Sequence, residues 1–413
     1  MNERRPRLVV FTTLFPHPGQ PNAGVFIRER MFRVGQILSL VVVAPVPWFP
    51  LQGLIRLFRP HFRPAAPRHE VQQGIDVYHP RFVSVPGIFK AWDGLFMALG
   101  SYRLLARLHQ QSGFDIIDAH FAYPDGYAAT LLGRWLKLPV TITLRGTEVP
   151  LSKFEGRRQR IVKALKNAVR IFTVSESLKQ HAVSFGIDAE KIRVVGNGVD
   201  IKKFYPLPRN EARNDLGLSG DAPVIISVGA LVERKGFHRV IECLPYLRGM
   251  FPCLRYLIVG GAGPEGGLTK QLRQQVKDLS LEETVVFLGQ MPSDKLNVAL
   301  SAADLFVLST RNEGWANVFL EAMACGLPVV TTDVGGNAEV VNNPKLGTIV
   351  PFGDQQLLCR AIEDALRKNW DREAIIAYAR ANSWDDRVGI LEGEFRRIIA
   401  AGKHMPVPGK ISQ

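Results

Sequence analysis

The chain predicts two α/β domains in tandem, each built on a doubly wound parallel sheet. Three observations point there. Short β-branched runs ending at Gly, His or Ser alternate with helix-length amphipathic segments along almost the whole sequence. The runs are continuously apolar, which marks strands buried on both faces beneath helices. A polar stretch rich in Pro, Gly and Asn, IKKFYPLPRNEARNDLGLSGDA at 201–222, breaks the pattern midway. Strand–helix alternation on either side of it suits doubly wound domains, and 413 residues suffice for two of about 150–200 residues each.

In chain order, strands are expected in the first half at RLVVFTT (7–13), SLVVVAP (39–45), FDIIDAH (114–120), PVTITLR (139–145), RIFTVS (170–175) and KIRVVGN (191–197). The second half adds PVIISVG (223–229), RYLIVGG (255–261), TVVFLG (284–289), DLFVLST (304–310), PVVTTD (328–333) and GTIVPF (347–352). Glycines are plentiful after these runs, where tight strand-to-helix turns need them. Ligands of such sheets bind at the carboxyl ends of the strands, so the expected site is a cleft between the two domains.

Residues 46–113 interrupt the regularity. VPWFPLQGLIRLFRPHFRPAAPRHE and VPGIFKAWDGLFMALGSYRLLARLH interleave Trp, Phe and Leu with Arg. This is either a loop and helix packed on the core or a patch for an anionic membrane surface or lipid acceptor. The net charge of +14 and pI near 9.8 fit nucleic acid, an anionic membrane or a phosphorylated ligand as the acidic partner. Nucleic acid is disfavoured because no recognisable binding motif accompanies the charge.

No signal peptide is expected, since MNERRPRLVVFTTLFP passes from charge straight into a strand-like run without a cleavage site. The longest apolar stretch, ILSLVVVAPVPWFPL, is too short and proline-broken to span a bilayer. Cys243, Cys253, Cys325 and Cys359 show no metal-ligand spacing, so neither a disulfide framework nor a metal is expected. A reducing cytoplasm fits, with possible placement at the inner face of the membrane.

Three motifs carry the chemistry. Gly261-x-Gly263-x-x-Gly266 follows a strand, but the next strand ends in Gly289 and Gln290 rather than a ribose-binding acid. The glycines therefore read as a tight turn lining a cleft, not as a nicotinamide or flavin site. SVGALVERKGFHRVIECL (227–244) puts Arg234 and Lys235 at a strand-to-helix junction, where cations and helix amides together make an anion site; a solvated pair is the plain alternative. In RNEGWANVFLEAMACG (311–326), Glu313 precedes a helix expected to start near 315–317, and Glu321 lies eight residues later inside it. Gly314 and the amides of Asn317 and Val318 would suit a phosphate between two carboxylates, each able to accept a pair of hydroxyl hydrogens.

E-x7-E in this setting, with K-G after the first strand of the second domain, resembles the retaining glycosyltransferases of family 4, which have the GT-B fold. HPGQPNAGVFIRER, DAHFAYPDGYAA, TLRGTEV, TVSESL and GNGVD extend the resemblance through the first half in the family's order. The resemblance implies an acceptor-binding domain at 1–203, a nucleotide-sugar domain at 204–375, and a helical segment at 376–413 returning to the first. It implies His120, Glu313 and Lys235 as catalytic, with Lys235 on the diphosphate, Glu313 on the donor sugar and Glu321 on the ribose. Gly24, Arg234, Gly263, Gly314, Asn317 and Val318 would complete donor binding, with Arg145 and Ser175 at strand ends in support. Many relatives have Arg after the glycine equivalent to Gly229, where this chain has Ala230; Arg234 is the candidate replacement.

The implied activity is transfer from a UDP- or GDP-sugar to a saccharide or lipid-linked acceptor in cell-surface polysaccharide synthesis, with no metal and no cofactor. Other readings of the same fold are a sugar-nucleotide epimerase and a catalytically silent scaffold. Neither the sugar nor the base is legible.

Overall fold

The computed structural model describes residues 5–21, 23–50, 52–58, 62–263 and 266–403. Residue 22 of the glycine loop, 51 and 59–61 of the aromatic–basic stretch, 264–265 of the glycine turn and 404–413 of the final segment lie outside the described residues. The described residues fall into two compact units: one up to Asn197 together with those from Asp385 onward, the other Gly198–Trp384.

All twelve expected strands form. In the first unit the sheet runs Ile192–Val194, Arg170–Thr173, Val140–Leu144, Ile116–His120, Arg7–Phe11, Ser39–Val43, Ile75–Tyr78, His69–Gln72 in spatial order. Every pair is parallel except the last, a hairpin closed by Gln73 and Gly74, both at positive φ, as a two-residue turn matched to strand twist requires. Strand order reverses between Ile116–His120 and Arg7–Phe11, the switch point where ligands of such sheets sit. Both faces are covered. Val9, Phe11, Ile117 and Ile142 pack under Leu105, Leu132 and Ile161, while Leu8, Val10, Ile116 and Phe172 meet Ile27, Met31, Leu391 and Phe395. The last two come from the C-terminal helix Trp384–Lys403, anchored to this unit by Arg170 Nε donating to Glu394 at 2.9 Å.

The stretch 46–113 is more structured than a loop and one helix. It supplies the outer two strands of the sheet and a separate parallel pair, Val46–Trp48 with Arg81–Val83. It also holds a short helix, Gln52–Phe58, and a long one, Asp93–Ser112.

The second unit has six parallel strands in the order Val285–Gly289, Arg255–Val259, Val224–Val228, Leu305–Leu308, Val329–Thr332, Gly347–Val350. Its switch point falls between Val224–Val228 and Leu305–Leu308. Helices Phe237–Met250 and Gln355–Arg367 cover one face through Val240, Leu244 and Ile362; Phe319, Leu320 and Met323 of helix Asn317–Ala324 cover the other.

The cysteines correct one expectation. Cys243 and Cys359 form a disulfide joining those first two helices, with Cα atoms 5.2 Å apart. Their separation of 116 residues leaves no local spacing signal. Among the described residues no helix is long and apolar enough to cross a membrane.

Gly236 makes a close approach across the switch point. It sits at φ +75°, and a Cβ there would lie 1.9 Å from the Ser309 carbonyl oxygen. Gly236→Ala is expected to cost more than about 2 kcal/mol of unfolding free energy in urea; an unchanged midpoint would show that the two strand ends move apart freely.

Candidate active site

Each unit gathers polar side chains at its switch point. In the second, the chain leaves Val224–Val228 through Gly229 and Ala230, makes a single turn at Glu233–Lys235, and enters helix Phe237–Met250. That turn is pinned to the neighbouring strand end: the Arg234 carbonyl accepts from the Arg311 amide at 2.7 Å and from Thr310 Oγ1 at 3.0 Å. Glu313 follows the same strand end. Its backbone is held by Gly335, whose φ is +55° and whose Cβ, if present, would lie 1.7 Å from the Glu313 carbonyl oxygen.

Lys235 Nζ thereby meets Glu313 Oε2 at 2.6 Å, and Arg234 Nη1 lies 3.8 Å from the same oxygen. Lys235 and Glu313 are mostly buried, at 12% and 13% side-chain exposure, so their attraction is less screened than that of a surface pair. Helix Asn317–Ala324 starts four residues after Glu313. The first amides of a helix lack intrahelical acceptors and carry the positive end of its dipole. Val318 supplies one of them, Gly314 sits in the bend before the helix, and Glu321 lies half-buried one turn further along. Gly263 hydrogen-bonds both ways with Gly266 and packs against Ala230, whose Cβ lies 3.1 Å from where a Gly263 Cβ would be. A side chain at 263 would crowd Ala230, while Arg234 shares the Glu313 oxygen with Lys235. Trp315 was not singled out from sequence; its indole Nε1 is buried and has no partner among the described residues.

In the first unit, His120 ends strand Ile116–His120 and is fully buried. Arg145 Nε donates to its Nδ1 at 3.1 Å, so the proton of the neutral ring is on Nε2, which lies 3.4 Å from Asp118 Oδ2 without a well-aligned hydrogen bond. Burial, then the Arg145 and Arg30 charges, hold the His120 pKa well below its ordinary value. Arg145 also bonds Asn197 Oδ1 at 3.1 Å. Glu148 fastens the loop, accepting from the amides of Ala122, Arg145 and Gly146. Gly24, at φ +68°, has the Leu14 carbonyl oxygen 2.1 Å from its absent Cβ, so only glycine brings helix Val25–Ile37 this close to the strand end. Ser175 is buried and its hydroxyl caps helix Glu176–Val183 by accepting from the Leu178 amide.

Sequence reasoning passed over Arg30, Asp118, Asp125 and Glu148, all inside quoted motifs or beside them. Asp118 and His120 share a strand face by their i, i+2 spacing, which was a legible signal. Arg30 is fully buried, with burial lowering its pKa to about 10. Burial raises Asp118 to about 6 against the Thr141 hydrogen bond, and raises Asp125 to about 7 against bonds from Thr13.

A two-unit Rossmann-like architecture with ligand-type residues at each switch point is that of the GT-B glycosyltransferases. Solved structures agree on the fold: sucrose-phosphate synthase from Thermosynechococcus elongatus superposes with a TM-score of 0.75 at 20% identity, covering 96% of this chain and 100% of that one. Anabaena HepE in complex with UDP gives 0.69 at 21%, covering 96% and 100%. Residues 54–203 match the model of Glycosyltransferase Family 4, and residues 208–382 that of Glycosyl transferases group 1. A putative teichuronic acid biosynthesis glycosyltransferase of Bacillus subtilis is 27% identical over 92% of this chain and 91% of its own length. A D-inositol 3-phosphate glycosyltransferase of Corynebacterium urealyticum is 31% identical over 70% and 72%. The chain belongs to glycosyltransferase family 4.

Asp125 gives a pH test. A carboxyl whose folded pKa is about 7, above the unfolded value near 4, stabilises the fold fully below pH ~4 and loses that contribution as pH rises to 7. Wild type is expected to lose more than about 1 kcal/mol relative to Asp125→Asn across that window, read from urea unfolding at stepped pH. A constant difference would place the carboxylate in a more polar setting.

Proposed function

We propose that this glycosyltransferase moves a sugar from a UDP- or GDP-sugar to a saccharide acceptor with retention at the anomeric carbon. The observation that carries it is the Lys235–Glu313 pair at 2.6 Å, set at the switch point before helix Asn317–Ala324. On this reading Lys235, Arg234 and the helix amides near Val318 take the diphosphate, Glu313 the donor sugar and Glu321 the ribose. Charge developing on the leaving β-phosphate is stabilised electrostatically, usually the largest catalytic contribution. The bond from C1 to the phosphate oxygen breaks, the acceptor oxygen bonds C1 on the same face, and its proton passes to the departing phosphate. Neutral His120, oriented by Arg145, is the active-site histidine that the family resemblance implies. Neither glutamate acts as acid or base, no metal is required, and residues 1–203 hold the acceptor.

The test is nucleoside diphosphate release from a panel of UDP- and GDP-sugars. Lys235→Ala is expected to slow release by about 100-fold or more, with wild-type release unchanged by EDTA. Full activity in Glu313→Ala or His120→Ala would overturn those roles; no binding of any nucleotide sugar would overturn the activity. An epimerase would interconvert sugars without releasing nucleoside diphosphate.

A lipid-linked acceptor in cell-surface polysaccharide assembly, at the inner face of the cytoplasmic membrane, is the second part of the proposal. The Bacillus subtilis relative and an Erwinia amylovora relative are named for teichuronic acid and amylovoran synthesis. Ile88, Phe89, Trp92 and Phe154 are exposed beside the basic helix Glu155–Asn167. Arg160 lies over Trp92 and Arg157 over Phe154, at 5.4 and 4.7 Å. Basic residues among exposed aromatics suit an anionic interface. The protein is expected to sediment with anionic vesicles and release at high salt; equal sedimentation with neutral vesicles would argue against it.

A further inference from the structure

The first unit contains a cavity of ≈ 440 Å³ that the donor reading does not use. It opens at the carboxyl ends of strands Arg7–Phe11 and Ser39–Val43, the ligand edge of this sheet. Thr13 is in its wall, and Thr13 also holds Asp125 through its amide and hydroxyl. The cavity therefore adjoins the segment that follows His120. Its volume falls among small-molecule sites.

Its lining is cationic. Arg56, Arg63 and Arg81 all face it, and among the described residues none forms an ion pair with a carboxylate. Arg56 donates to the Phe62 and Arg63 carbonyls, and Arg63 to the Ser84 carbonyl at 2.7 Å. These bonds fix the guanidinium groups without neutralising them. Asp93 lies close enough to act on Arg63, but its Oδ2 is engaged by Lys90 at 3.1 Å. Arg81 is exposed at the rim, with no side-chain hydrogen bond among the described residues. Clustered unneutralised arginines repel one another, and a planar oxyanion relieves this while matching their donor forks.

Two further features point to a sugar rather than a bare anion. Gln52 is in the wall, and a side-chain amide can pair with a hydroxyl, which both donates and accepts. Trp48, 37% exposed, adds a flat apolar wall of the kind that covers the C–H face of a pyranose.

We propose that this cavity binds an acidic sugar of the acceptor: its carboxylate or phosphate on Arg63 and Arg81, a hydroxyl on the Gln52 amide, and its ring against Trp48. This rests on the glycosyltransferase reading for the word acceptor; the binding chemistry does not.

The experiment is calorimetric titration of the full chain with glucuronate, glucose 6-phosphate, methyl glucoside and inorganic phosphate. One of the two acidic sugars is expected to bind at least tenfold more tightly than methyl glucoside and than inorganic phosphate. Which of them wins distinguishes carboxylate from phosphate. Arg81→Gln, an exposed substitution that opens no core cavity, is expected to weaken that sugar at least tenfold. Trp48→Ala is expected to weaken the sugar while leaving inorganic phosphate unchanged. Equal binding of the neutral glucoside, no binding of either acidic sugar, or full affinity in Arg81→Gln would overturn the proposal. Donor hydrolysis by the wild type is measured separately. If acidic sugars bind but no nucleotide sugar is cleaved, the transferase reading fails while the cavity assignment stands.

Discussion

Parallel pairing is the constraint from which the site follows. A parallel strand can be followed by another only after a crossover, so the parallel strands of one sheet all end at the same edge. The loops that leave those ends collect there whatever their distance in sequence. Lys235 and Glu313 follow neighbouring strands across the reversal of strand order and meet at 2.6 Å. In the first unit the same rule brings His120, Arg145 and Asn197 from three different strand ends into one hydrogen-bonded line. Neither cluster needs a long loop to assemble it.

The two clusters differ in how their charge is managed. Lys235 and Glu313 neutralise each other directly. The first unit instead buries two guanidiniums, Arg30 and Arg145, with the carboxyls of Asp118, Asp125 and Glu148 around a neutral imidazole. Charge removed from water is costly unless paired and hydrogen-bonded, and here some of the cost is avoided by proton uptake, since burial raises Asp118 and Asp125 toward neutrality. Glu148 is satisfied differently, by three backbone amides. Such an arrangement fixes the His120 ring rigidly, with one nitrogen committed to Arg145.

The central strands were legible in the sequence because burial on both faces demands continuous apolar runs, such as IISV and LFVL. The two strands at the His69–Gln72 edge of the first sheet were not. His69–Gln72 alternates exposed and half-buried residues, so HEVQ reads as polar loop, and its partner depends on a two-residue Gln73–Gly74 turn. Lys235 and Glu313 were found because strand-end glycines and charges mark turns, and Gly24 through the resemblance of its loop. Arg30 was not, because an arginine in a helix is ordinarily solvated; only the packing of that helix beside Asp118 and Val195 buries it. The Cys243–Cys359 bond was hidden for a related reason, since neither cysteine's neighbours in sequence say which helix will lie alongside.

The ion pair between Lys235 and Glu313 leaves neither group uncommitted, and on the proposed reading that makes it a coincidence detector. A lone phosphate that captures the lysine strands the carboxylate, and a lone sugar that captures the carboxylate strands the lysine. A molecule carrying both features at the right spacing satisfies both groups at once. Once the sugar has gone to the acceptor, Glu313 competes with the remaining diphosphate for the lysine. The same contact that screens arrivals then helps to eject what is left.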